Sequence, residues 1–104
     1  MIEPLQNSPI VCALFMEREL IILNKLGLHA RPAAEFVRCA RRFKATIVIK
    51  KDGEEYSAAS ILDVLSANLD HGSRMNLSAD GPDAGKALEE LAALLEQFHQ
   101  QEDY

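Results

Sequence analysis

An α+β domain, with an antiparallel sheet covered on one face by helices, is the fold class that the sequence predicts. Three features carry that expectation. Strand-like and helix-like segments alternate as βαββαβα, two of the strand patterns meet at an Asp-Gly pair, and a long leucine-rich stretch closes the series. Strands with one apolar face and helices with one apolar stripe bury those surfaces against each other in two layers.

Each element has its own local reason. From Arg18 to Asn24, "RELIILN" is apolar and β-branched, which suits a strand. Gly27 then permits a turn, and a helix is expected from about Ala30 to Arg42. Its apolar residues Ala33, Phe36, Val37 and Ala40 recur at helical spacing, with Arg41 and Arg42 in the last turn, where cations complement the helix dipole. "ATIVIKKDGEEYSA" reads as a hairpin with Ile47 and Ile49 on one face and Asp52-Gly53 as its two-residue turn. Ser60 opens a short helix, with Asp63 three residues on as in a capping box, and Asn68 tolerates the left-handed backbone that ends many helices. "SRMNLSA" places Met75, Leu77 and Ala79 on one strand face. The last helix, with Pro82 near its start, aligns Ala87, Leu88, Leu91, Leu94, Leu95 and Phe98.

The chain has 104 residues, 48% of them hydrophobic and 26% charged, which is one modest domain and not a disordered chain. Residues 16–99 form that expected domain. Residues 1–15 show no clean period and are either an extension or codons upstream of a start at Met16; residues 100–104 read as a polar tail. The net charge of −5 argues against non-specific nucleic-acid binding. Basic residues are nonetheless grouped: Arg31, Arg38, Arg41, Arg42, Lys44, Lys50 and Lys51 lie near one another in sequence and suggest a surface for an acidic protein partner. The two cysteines, Cys12 and Cys39, have no metal-ligand spacing, so no metal is expected, and Cys39 reads as a helix filler. No segment has the length of a membrane span, so membrane insertion is not expected, and "SPIVCALF" lacks the basic residues that precede a secretory h-region. The cytoplasm is the expected compartment.

His29 carries the functional expectation. It falls at the foot of the first helix, where backbone N–H groups have no carbonyl partner and form a natural anion site. A neutral imidazole nitrogen placed there is a nucleophile, and a phosphoryl group attached to it faces the amides of Ala30 and Arg31. The Arg31 guanidinium adds charge-assisted hydrogen bonds, and Pro32 stiffens the first turn without forfeiting a needed donor. An ordinary surface turn gives the same local pattern, so chemistry alone leaves both readings open. His71 and His99 lack this context and read as loop and tail residues.

The stretch "GLHARPA", residues 27–33, resembles the active-site signature of the HPr family, the histidine-containing phosphocarriers of the bacterial phosphoenolpyruvate-dependent sugar phosphotransferase system. The similarity runs from about Met16 to Phe98. It implies an open-faced β-sandwich, with a four-stranded antiparallel sheet in the order 1-4-2-3 and three helices on one face. It implies that His29 is phosphorylated on Nδ1 by phospho-enzyme I, that Arg31 holds the phosphoryl oxygens, and that the group passes to a histidine of a sugar-specific A-domain protein. The carrier would be stoichiometric, not an enzyme, would need no cofactor, and would act as a monomer because hand-over needs an uncovered face. "NKLGLHARPA" also resembles the nitrogen-branch carrier, whose role is regulatory.

Ser60 stands at the position that HPr kinase/phosphorylase modifies in some members, although a plain N-cap explains a serine there equally well. Ile61, Leu62 and Leu65 cannot all face inward on so short a helix, so one or two should form an apolar docking patch, with Arg38 and Arg41 as a basic rim. Asp63 and Asn68 depart from the residues frequent in relatives, which leaves the identity of the partners open. A regulatory module that docks a partner through Ser60 is the third reading. Such paralogues typically lose the histidine, and this chain retains His29 and Arg31.

Overall fold

A computed structural model describes residues 14–101, so the first thirteen residues and residues 102–104 lie outside the described residues. The chain runs β1 (Phe15–Ile21), α1 (Ala30–Ala40), β2 (Thr46–Lys51), β3 (Glu54–Ser57), α2 (Ile61–Ser66), β4 (Arg74–Asp80) and α3 (Ala84–Gln101). The strands form one sheet in the order β1-β4-β2-β3, and every neighbouring pair is antiparallel. This is the α+β open-faced sandwich expected.

The period-two pattern sets which face is covered. Ile47, Ile49, Met75, Leu77 and Ala79 are buried against the helices, where they meet Phe36, Val37 and Ala40 of α1, Val64 of α2, and Leu88, Leu91, Leu95 and Phe98 of α3. The β2–β3 turn has positive φ at both central residues, 53° at Asp52 and 82° at Gly53, the backbone that matches the twist of a two-residue hairpin.

Three boundaries differ from expectation. The first strand spans Phe15–Ile21, not Arg18–Asn24. Its ladder is dictated by β4, which pairs Phe15 with Asp80 and Ile21 with Arg74, and the unbroken apolar run "LIIL" gave no period to locate its end. The first helix stops at Ala40, so Arg41 is the C-cap and Arg42 lies beyond the last turn. The Arg42 and Phe43 amides bond Cys39 and Ala40 carbonyls in tighter turns that release the chain toward β2. The third helix continues through His99 and Gln100 to Gln101, and His99 is half-buried in its last turn instead of lying in a tail.

Asp83, just before α3, ties this helix to the end of the α1–β2 loop. Its carboxylate accepts the backbone N–H of Lys44 at 2.8 Å and of Ala45 at 2.9 Å. The Lys44 amide is the main reason that the carboxyl is held below the usual carboxylate range. A depressed folded-state value means that the charged form stabilises the fold above the unfolded value, and that this contribution is lost as pH falls through the folded one. Asp83→Asn should therefore be less stable than the parent at neutral pH, with the gap in urea midpoint closing as pH falls below the ordinary carboxylate range. A gap independent of pH would show that the carboxylate charge plays no part.

Candidate functional site

After β1 the chain still bonds β4's approach, with Ile22 N–H donating to the Ser73 carbonyl and Gly72 N–H to that of Ile22. It then turns toward α1 through Gly27, whose φ is +68°. A Cβ at Gly27 would lie 2.5 Å from the Leu69 carbonyl oxygen and 2.8 Å from Asp70 Cα. Leu28 is buried, and its N–H donates to the same Leu69 carbonyl at 2.8 Å. The turn thus presses against the segment that follows α2, and the next residue emerges at a fixed point.

That residue is His29. It is the N-cap of α1 in an extended conformation, is exposed, and makes no side-chain capping bond. Its carbonyl accepts the Ala33 N–H at 2.8 Å, so the helix begins immediately after it. Ala30 and Arg31 are exposed at the first two helical positions, and Pro32 is buried at the third, where the absent N–H breaks no helical bond. No acidic residue occupies this first turn. His29 lines a shallow depression of about 240 Å³ with Leu26, Ala30, Leu65, Asn68 and Asp70. Leu26, 62% exposed, was not singled out from the sequence. The available signal was a leucine between Lys25 and Gly27 in a turn, where no core is within reach.

The α2 residues divide. Leu62 and Leu65 are 72% and 42% exposed, whereas Ile61 is half-buried against the core. Ile61 lines a neighbouring depression with Ala34, Val37, Arg38 and Arg41, so it sits beside the basic residues and not beside His29. Ser60 is half-buried and caps α2, its Oγ accepting the Asp63 N–H at 3.3 Å. The reciprocal arm of a capping box is absent, because the Asp63 carboxylate accepts the Ser57 N–H at 2.9 Å and ties the helix to the end of β3. Ser60→Ala should lower stability by about 1 kcal/mol in urea unfolding, and an unchanged midpoint would deny the cap its role.

The basic residues grouped in sequence do not form one surface. Arg38 and Arg41 flank the Ile61 depression, and Arg41 Nε donates to the Ala59 carbonyl at 2.8 Å, one residue before Ser60. Arg42 turns to α3, with Nη2 at 3.2 Å from Glu90. Lys51 Nζ donates to the Ala67 and Asn68 carbonyls behind α2, and Lys50 lies on the uncovered sheet face, 3.3 Å from Glu17. Strand alternation separates these two lysines, a consequence that sequence proximity hides. Cys39 is half-buried between α1 and α3, and burial pushes its thiol up, which keeps it protonated and a poor nucleophile at neutral pH. His71 is exposed in the loop before β4. Cys12 lies outside the described residues. No helix among the described residues is long and apolar enough to cross a membrane.

A family model described as the phosphorylation site of the HPr component of the phosphotransferase system matches residues 16–97. The phosphocarrier protein HPr of Vibrio cholerae is 40% identical over 83 residues, covering 80% of this chain and 98% of that protein. The HPr-like protein Crh of Halalkalibacterium halodurans is 41% identical over 81 residues, 78% of this chain and 96% of its own. The crystal structure of HPr from Bacillus anthracis superposes with a TM-score of 0.74 at 42% identity, covering 77% of this chain and 95% of that one. The matched span starts within β1, takes in the turn that presents His29 and ends in α3, so the chain belongs to the HPr family of phosphocarrier proteins.

Proposed function

We propose that the chain is a stoichiometric phosphoryl carrier that accepts a phosphoryl group from phospho-enzyme I on His29 and donates it to a histidine of a sugar-specific A-domain protein. The observation that carries this reading is the placement of His29, an exposed ring at the N-cap of α1 that caps nothing itself. The Nδ1 lone pair attacks phosphorus as the bond from phosphorus to the donor atom of enzyme I breaks, with that electron pair staying on the donor. The Nε2 proton leaves to solvent. The new phosphoryl oxygens face the N-terminal end of α1 and the Arg31 guanidinium, and positioning with charge neutralisation supplies the catalysis. Donation reverses these steps on the acceptor ring. A shallow site suits both partners because each reaches the ring in turn, with Leu62, Leu65, Arg38 and Arg41 as the contact surface. The protein works as a monomer in the cytoplasm, and gel filtration at working concentration checks the first point.

Incubation with enzyme I and phosphoenolpyruvate, then mass measurement under alkaline conditions, should show one added phosphoryl group that acid removes. A chain that stays unlabelled with active enzyme I overturns the reading. A second role, regulation through Ser60, is supported by the place of this serine as the half-buried N-cap of α2, one residue before the docking helix. A phosphate there would sit at the start of α2 and place charge on the docking surface without unfolding the domain. ATP and HPr kinase/phosphorylase should then give an acid-stable phosphate that Ser60→Ala abolishes. Absence of HPr kinase and sugar permease genes from the same genome would favour the nitrogen-type circuit instead.

A further inference from the structure

Asn24 is 2% exposed, one of two polar residues buried among the described residues, and it lies five positions before His29 with no place in the chemistry above. Its Nδ2 donates to the Gly27 carbonyl at 2.8 Å, and its own carbonyl accepts the Gly27 N–H at 3.1 Å. A carbonyl oxygen only accepts, so the amide nitrogen must be the group that faces Gly27. Both peptide groups of Gly27 are thereby held by one residue. His71 Nδ1 lies 3.3 Å from the same Asn24 carbonyl and braces the clasp from the loop before β4. Downstream, the Leu28 N–H bond to Leu69 passes the constraint to the N-cap.

From this geometry we infer that Asn24 is a positioning residue for phosphoryl transfer at His29, acting through the Gly27 peptide it clasps. The inference rests on the phosphocarrier reading of His29. Transfer in line between two rings needs the attacking nitrogen held to a fraction of an ångström, and a misplacement near 1 Å lowers rates up to about a hundredfold. Removing the side chain frees the Gly27 carbonyl while the backbone bond from Gly27 N–H to the Asn24 carbonyl stays. That loosens the approach to the N-cap and leaves the exposed residues that meet a partner where they are. The signature is therefore a turnover defect without a docking defect.

The test compares the intact chain with Asn24→Ala and Asn24→Asp in transfer from phospho-enzyme I, varying carrier concentration. The aspartate keeps the side-chain volume but turns a carboxylate oxygen toward the Gly27 carbonyl in place of a donor. Expected is a fall in kcat of roughly 10- to 100-fold with KM within about twofold, in variants whose circular dichroism and melting show a folded domain. Folded variants with unchanged kcat, or a rise in KM alone, overturn the inference. So does failure of both variants to fold, which would make Asn24 purely structural. If the parent itself takes no label on His29, the phosphocarrier reading fails first; a labelled parent with fast Asn24 variants sinks the positioning role alone.

Discussion

On the proposed reading, His29→Ala should leave the domain folded and lower phosphoryl acceptance by more than about a thousandfold, the scale seen when a nucleophile is deleted. The variant isolates chemistry from stability because the ring is exposed and caps nothing. Its unfolding free energy should stay within about 0.5 kcal/mol of the parent, as for substitutions away from packed or bonded groups. Enzyme I, phosphoenolpyruvate and alkaline mass measurement on both proteins give the comparison. Label persisting undiminished in the variant would move the acceptor elsewhere and take the assignment of Arg31 with it.

Gly27→Ala is expected to cost much stability for a change of one methyl group. At φ +68° a side chain sits in the left-handed region, which costs about 1–2 kcal/mol. The new Cβ also meets the Leu69 carbonyl and Asp70 Cα at 2.5 and 2.8 Å, both backbone atoms that cannot swing aside. Overpacking of this kind adds about 1–3 kcal/mol, so a total near 2–5 kcal/mol should appear in urea unfolding. Gly53→Ala is the control: its φ is +82°, yet nothing lies within 4 Å of the added atom, so only the backbone term applies. Equal losses at the two positions would show that contact with the 69–70 segment does not hold the site loop.

What the sequence made legible follows the range of each interaction. The hairpin turn at Asp52-Gly53, the cap at Ser60, the left-handed Asn68 with φ 56° and the inward strand residues Met75, Leu77 and Ala79 are decided within a few positions, and all are found as read. The end of β1 is decided by β4, far along the chain, and α1 closes in tight turns onto Cys39 and Ala40 that its apolar spacing does not mark. At both boundaries the structure departs from the reading. The strand order came from resemblance, because periodicity says which face is covered but not which strand lies beside which. For the site, His29 and its N-cap position were visible in "GLHARPA". The burial of Asn24 was not, since an asparagine at the close of an apolar run reads as a turn residue until the fold encloses it. The basic group failed for the opposite reason: Lys50 and Lys51 are adjacent in sequence and point to opposite faces of the sheet.

Among the described residues β1 ends the sheet on one side, carrying Glu17, Arg18 and Glu19 in the middle of its length. If two such strands met antiparallel with their faces matched, a register centred on Glu17 or Glu19 would set that carboxylate against its own copy. Centring on Arg18 opposes two guanidinium groups and also Glu17 to Glu19. Like charges directly across a ladder are destabilising, so the uncovered border of this sheet disfavours in-register pairing with a copy of itself.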